Sequence, residues 1–160
     1  MVNSTDPRSA FHSGAKIPPP LIYAAMFGVG FLLQTYFPID VLQSSASRVL
    51  ALLCMAVSVI LGIWSLVSFW GARTSPLLMR PSTALITVGP YHFSRNPMYV
   101  SVTFVYTGLA VWFAVFWALL LLPIVIVAVR YYVIAGEERY LERKFGKAYL
   151  DYKVRVRRWI

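Results

Sequence analysis

Between Met98 and Val129 the chain runs for 32 residues without a charged side chain. As one helix that run would extend about 48 Å, too long for one ordinary crossing of a bilayer's ~30 Å hydrocarbon core. Two short helices joined by a tight turn near Trp112 to Phe116 fit better, although neither Gly nor Pro marks the turn. Pro123 is expected to kink the second of them. Two earlier apolar segments run from Leu21 to Phe37 and from Val49 to Trp70, with Ser47 a candidate cap and Gly71 a candidate end for the latter. The predicted fold class is all-α: an integral membrane bundle of about four transmembrane helices. The third and fourth form a tight hairpin, and a cytoplasmic amphipathic C-terminal helix follows.

Composition agrees. Of the 160 residues 59% are hydrophobic and 13% charged, against about 25% charged in a typical soluble domain. So much apolar surface excludes disorder and argues against a soluble domain. The net charge of +9 invites a nucleic-acid reading, but nine of the 15 basic residues crowd between Arg130 and Arg158. That placement suits anionic lipid headgroups, and no nucleic-acid partner is expected. A single cysteine, Cys54, rules out an intrachain disulfide framework.

Residues 1–20 read as a flexible arm, and residues 21–160 as one membrane domain. A cleaved signal peptide fits the start poorly, because no small-x-small cleavage pattern follows the apolar run. Four prolines and two glycines keep residues 71–97 from forming one long helix. Leu77 to Val88 is a candidate interfacial piece. In the tail, Tyr140, Leu141, Phe145 and Ala148 give Glu137 to Tyr149 one apolar helical face. With four spans, the arm, the 71–97 loop and the tail share one side and hold 14 of the 15 basic residues; only Arg48 lies opposite. The positive-inside rule then puts both termini in the cytoplasm, with a bacterial inner membrane as the expected location.

Two polar clusters fall on that cytoplasmic side. One is Gly89-Pro90-Tyr91-His92-Phe93-Ser94-Arg95-Asn96-Pro97-Met98-Tyr99. The other is Glu137-Glu138-Arg139-Tyr140-Leu141, followed by Phe145-Gly146, Tyr149, Tyr152 and Arg155. Across an apolar hairpin they match Gly-x-Tyr, Arg-Asn-Pro, x-Tyr, Glu-Glu, Phe-Gly and Tyr-x-x-Tyr-x-x-Arg-Val, in order. In this the chain resembles the isoprenylcysteine carboxyl methyltransferase family and its relatives, the membrane phospholipid methyltransferases. The match covers roughly residues 85–157, the expected catalytic part. Three positions depart from the pattern: Asn96 where many members have His, Ser101 where Gly is frequent, and Arg157-Arg158 where Pro is common.

The resemblance implies an S-adenosylmethionine-dependent methyltransferase acting on a lipophilic or small acceptor. It implies a cofactor site from Val88, Gly89, Tyr91, His92, Arg95, Asn96, Pro97, Tyr99, Glu137 and Glu138, with Arg95, Glu138 and Arg155 catalytic. The residue chemistry suits these roles. Arg95 can grip a carboxylate through paired hydrogen bonds. Glu137 or Glu138 can accept from ribose hydroxyls or an ammonium. Tyr91, His92 and Tyr99 offer ring faces to adenine or a sulfonium, and backbone near Gly89 allows close approach. Asn96 donates and accepts hydrogen bonds. A carboxylate acceptor needs only orientation, for which Arg155 is placed; an amine or thiol must lose a proton, with Glu138 as base.

Plainer roles compete. Arg95 can bind lipid phosphate, Asn96-Pro97 can simply start a helix, and the two glutamates can be solvated first-turn acids. His92 reads first as a loop hydrogen-bonder; with only His12 as a second histidine, no metal site is expected. Tyr149 and Tyr152 read as interfacial packing, Arg157 and Arg158 as lipid-facing charge, and Gly28 and Gly30 as helix contacts. Three functions stay open at this level: carboxyl O-methyl transfer, amine or thiol methyl transfer, and a non-catalytic lipid-binding subunit. A transporter has little support, since no charge lies inside the spans.

Overall fold

The computed structural model describes residues 18–71 and 84–160. Most of the expected N-terminal arm, His12 and the greater part of the Leu77–Val88 piece lie outside the described residues.

The described chain is helical throughout, and no strand occurs in it. Helix α1 (Pro19–Tyr36) opens on two prolines, tolerated there because first-turn N–H groups have no helical partner. It closes where the Phe37 N–H reaches the Leu33 carbonyl. Helix α2 (Ser45–Gly71) is the longest single α-helix at 27 residues. The Ser44 hydroxyl accepts the Ser47 N–H at 3.1 Å, so Ser44 is the capping side chain and Ser47 lies inside the helix, a correction to the expected start.

The uncharged run divides where its length demands. Helix α3 (Pro97–Trp112) stops and helix α4 (Phe116–Val129) begins after three residues. The turn places Ala114 at φ +54°, a left-handed conformation that costs a non-glycine residue ~1–2 kcal/mol. The Val115 N–H returns to the Ala110 carbonyl and closes it. No turn residue announced this joint.

Beyond α4 the helix does not end. A π turn (Arg130–Ile134) carries it into helix α5 (Ala135–Phe145), so helical backbone is continuous from Phe116 to Phe145. The sequence reading of the tail as separate material therefore holds for polarity and not for the backbone. Gly146, at φ +51°, then breaks the expected Glu137–Tyr149 helix, and helix α6 (Lys147–Arg155) follows.

Among the described residues, two helices are long and apolar enough to cross a membrane: Ser45–Gly71 and Phe116–Phe145. The charged residues from Arg130 onward are costly at hydrocarbon depth, which confines the spanning part of the second to α4. At 18 and 16 residues, α1 and α3 are shorter. The packing requires an apolar surround. Along α2, Leu52, Leu53, Val59, Ile60 and Ile63 are all more than half exposed, a contiguous surface that a soluble monomer rarely leaves in water.

The helices meet through small residues and buried hydroxyls. A Cβ on Gly30 would lie 2.7 Å from the Ala118 Cα, so glycine is what lets α1 touch the α4 backbone. Gly28, the other candidate contact, faces open space. The Tyr106 hydroxyl donates to the Ala118 carbonyl at 3.0 Å and joins α3 to α4. Ser101 donates to the Ser58 carbonyl at 3.0 Å; its hydroxyl is satisfied between α3 and α2, where glycine is frequent in the resembled pattern. Tyr23, Val125, Val129, Val133 and Ile134 complete the main core, with Trp159 packed on it.

Candidate active site

The two polar clusters meet at one end of the bundle. Asn96-Pro97 starts α3, and a 3-10 turn (Gly89–His92) precedes it. Gly89 sits at φ +63°, and a Cβ there would be 2.6 Å from the Ser68 Oγ. Only glycine fits both the conformation and the close approach of this turn to α2. Tyr91 is buried, with its ring edge-on to Phe69 at 5.6 Å. The Tyr152 hydroxyl of α6 donates to the Tyr91 carbonyl at 2.6 Å.

The chain's last residues return to this corner. Ser94 and Arg157 form an isolated parallel bridge. The Arg95 N–H donates to the Arg157 carbonyl at 2.9 Å, and the Asn96 side-chain amide donates to the Arg158 carbonyl at 2.9 Å. Tyr149, Tyr152 and Val156 pack together below, against Leu141 and Phe145. These two tyrosines are therefore a small core that fixes the tail, beyond the interfacial role expected of them.

Glu138 is the electrostatic centre. Arg158 donates Nε to Oε1 at 2.9 Å and Nη2 to Oε2 at 2.7 Å. Arg95 Nη1 lies 3.1 Å from Oε1, close enough for an ion pair but without hydrogen-bond alignment. The Glu138 and Arg95 side chains are each only 9% exposed. Burial favours the neutral carboxyl, but the Arg158 hydrogen bonds and the Arg95 and Arg158 charges outweigh it and hold Glu138 below the usual carboxylate range. Arg95 Nε and Nη1 are both buried without a hydrogen-bond acceptor among the described residues. Such donors cost free energy where they stand.

Glu137 behaves differently one residue away. Successive side chains on a helix diverge by ~100°, and Glu137 turns to α3, where the Tyr99 hydroxyl donates to Oε1 at 2.8 Å. No ion pair reaches it among the described residues. Burial pushes its carboxyl up to about 7; the Tyr99 hydrogen bond opposes this and the Glu138 charge adds to it.

The structure thus gathers Gly89, Tyr91, Arg95, Asn96, Pro97, Tyr99, Glu137 and Glu138. Val88 and His92 lie at the rim, both exposed, with the His92 ring edge-on to Phe93. Arg155 is not brought in: it is exposed and donates to the Asp151 carbonyl. Arg158 is the residue that sequence reasoning missed. Read as lipid-facing, it grips Glu138 instead. A signal lay in the adjacent pair Arg157-Arg158: beyond the extended backbone at Val156, neighbouring side chains turn to opposite sides, so the two arginines need not share one environment. Among the described residues, no group of three His, Cys, Asp or Glu is placed to hold a metal.

The fold and this cluster define a helical membrane protein with a charged, partly dry site where the apolar bundle ends. A family model described as phospholipid methyltransferase matches residues 46–148. The chain belongs to that family, one of membrane methyltransferases. A protein of Haemophilus influenzae described as uncharacterized is 40% identical over 63 residues, covering 39% of this chain and all of the relative. No solved structure matches.

Proposed function

We propose that the protein is an S-adenosylmethionine-dependent methyltransferase whose substrate is a lipophilic or small acceptor at the cytoplasmic face of a bacterial inner membrane. Four spans with both termini inside best accommodate the basic residues, and residues 85–157 of the 21–160 domain carry the chemistry. The observation that carries the reading is Arg95: a buried guanidinium with two donors unsatisfied among the described residues, beside paired acidic and aromatic side chains, in a chain of this family.

The residues present fit the cofactor. Arg95 offers Nε and Nη1 to a carboxylate. Glu138 and Arg158 hold Arg95 in place rather than exchanging protons, since a carboxylate between two guanidiniums is a poor base. Tyr99 and Tyr91 offer ring faces, and Asn96 fixes the tail that walls the site. S-adenosylmethionine bound there supplies a methyl group already activated on a sulfonium. What remains for the protein is alignment and water exclusion. Isoprenylcysteine-type carboxylates, phospholipid amines and small thiols are the acceptor classes to be compared.

The test is S-adenosylhomocysteine binding to the purified full chain in detergent, beside Arg95→Ala and Glu138→Ala. Saturable binding by the wild type, lost in both variants, is the expected result. No binding by folded wild type overturns the proposal and leaves the second reading, a lipid-binding subunit, which the exposed basic residues Arg155 and Arg157 on the tail favour.

A further inference from the structure

We infer that the outward face of α6 and of the tail beyond it is a seat for anionic phospholipid headgroups, and that lipids held there keep the tail closed over Arg95 and Asn96. The seat stands without the methyl-transfer reading; only its effect on cofactor affinity rests on that reading.

Helix α6 carries apolar side chains on two faces. Tyr149 and Tyr152 pack inward with Val156. Leu150 and Val154, one turn apart, point outward and are 49% and 88% exposed. Lys147, Leu150, Asp151, Val154 and Arg155 are all exposed and follow the i, i+3, i+4, i+7, i+8 spacing of one helical stripe. A helix with an outward apolar pair bordered by cations suits the plane of a bilayer surface, where the apolar side chains enter the acyl boundary and the cations meet headgroups. The end of the chain sets the level. Trp159 packs on the main apolar core of the bundle, and Ile160 beyond it is exposed. At the end of α4, the Arg130 guanidinium lies 5.5 Å from the centre of the exposed Tyr131 ring, a pairing at home among headgroups. The chain that leaves α6 therefore returns to the level at which the apolar bundle ends.

Charge selects the partner. Arg139, Arg143, Lys144, Lys147, Arg155 and Arg157 are exposed and in no ion pair among the described residues. The whole chain has six acidic residues. Glu137 and Glu138 are engaged by Tyr99 and the site arginines, Glu142 pairs with Lys153, and Asp40 lies between α1 and α2. Only Asp6 and Asp151 remain, too few to neutralise these cations from within the protein. A layer of anionic headgroups supplies the missing charge, and each Lys or Arg near such a surface strengthens association about fivefold.

The seat reaches the site through the backbone. Arg157 is exposed while its carbonyl accepts the Arg95 N–H, and the next carbonyl, that of Arg158, accepts the Asn96 amide. Headgroups that hold Arg155 and Arg157 hold these carbonyls in place, and with them the Arg158 fork on Glu138. Lipid engages this face fully only when α6 lies against the bilayer, so it shifts the tail toward its closed arrangement.

The experiment uses the full chain, as wild type and as the double variant Lys147→Gln, Arg155→Gln. Each is placed in nanodiscs of phosphatidylcholine alone or of a two-to-one mixture with phosphatidylglycerol. Amide hydrogen exchange over residues 147–160 and S-adenosylhomocysteine affinity are measured in all four samples. For wild type, the anionic discs are expected to slow exchange about tenfold and to tighten binding about fivefold or more. The double variant loses most of both gains, yet matches wild type in neutral discs. Raising the salt to ~1 M removes both gains from wild type, because screening then acts within ~3 Å. Equal exchange in the two discs overturns the seat, and so does full protection of the double variant. Equal protection by inorganic phosphate in neutral discs makes the face a small-anion site. Protection that comes only with added polyglutamate makes it a dock for an acidic protein. Either result overturns the lipid assignment. Slowed exchange with unchanged S-adenosylhomocysteine affinity overturns the closure of the tail over the site. If wild type binds S-adenosylhomocysteine in neither disc, the methyl-transfer reading falls, and hydrogen exchange alone decides the seat.

Discussion

Arg158 and Glu138, twenty residues apart, form a two-pronged ion pair with bonds of 2.9 and 2.7 Å. The pair ties the last turn of chain to α5 and holds the anion against which Arg95 rests. Arg158→Met is expected to weaken S-adenosylhomocysteine binding by tenfold or more and to lower the unfolding temperature in detergent. Its cost is about 1.5–3 kcal/mol, the range for hydrogen bonds to charged groups. Arg158→Lys restores charge without the fork and should recover only part of both. Calorimetric titration and thermal unfolding check this; a variant indistinguishable from wild type in both would remove Arg158 from the site.

The two glutamates make stability depend on pH in opposite senses. Glu137 is raised to about 7 from an ordinary 4.5. Its protonated form is favoured in the fold, so its contribution is full below about 4.5 and is lost as pH rises through about 7. Glu138 is lowered, so its contribution is present above the ordinary carboxylate range and is lost as pH falls beneath it. Between pH 5 and 7.5, wild type is expected to lose about 1–3 kcal/mol that Glu137→Gln does not lose. Denaturant unfolding at a series of pH values measures the slope, and equal slopes for the two proteins would contradict the expectation.

Gly89→Ala combines a left-handed φ with a contact of 2.6 Å to Ser68. The conformation alone costs ~1–2 kcal/mol, and the overlap adds to it. The unfolding temperature should fall by several degrees. Adding Ser68→Gly removes the nearest overlap but not the backbone cost, so recovery should be partial. Full recovery would mean the backbone there is not strained.

Topology has a direct readout. In a Cys54→Ser background, single cysteines replace Val41, between α1 and α2, and Ile160 at the tail; both positions are exposed. A membrane-impermeant maleimide added to intact bacterial spheroplasts should label position 41 and spare 160 until the cells are lysed. The reverse pattern would invert the proposed orientation.

The helices, the hairpin turn and most of the residues that meet at the polar corner were legible because apolar runs and a motif order survive in one dimension. The turn at residues 113–115 followed from length alone, without a glycine to mark it. Arg158 was not legible. Its role depends on the tail folding back over Asn96, a contact made across 62 residues through the Arg158 backbone carbonyl, which carries no side-chain identity. The partition between Glu137 and Glu138 was invisible for a related reason. Adjacent carboxylates read alike until Arg95, Arg158 and Tyr99 are placed around them. Arg155 shows the converse: a plausible residue type at a plausible spacing, turned to solvent on α6.

The π turn at Arg130–Ile134 makes the spacing between membrane and chemistry a matter of residue number as well as residue type. A π turn holds one residue more than an α turn in the same circuit. Each residue of an α-helix advances the chain ~1.5 Å and swings the next side chain by a hundred degrees. Deleting one of the five would close the circuit as an ordinary α turn and leave Glu137 and Glu138 close to their present directions, whereas the same deletion within α4 would swing both carboxyls away from Tyr99 and the arginines. A one-residue change of length is therefore absorbed in this stretch, while the regular turns of α4 have no such freedom.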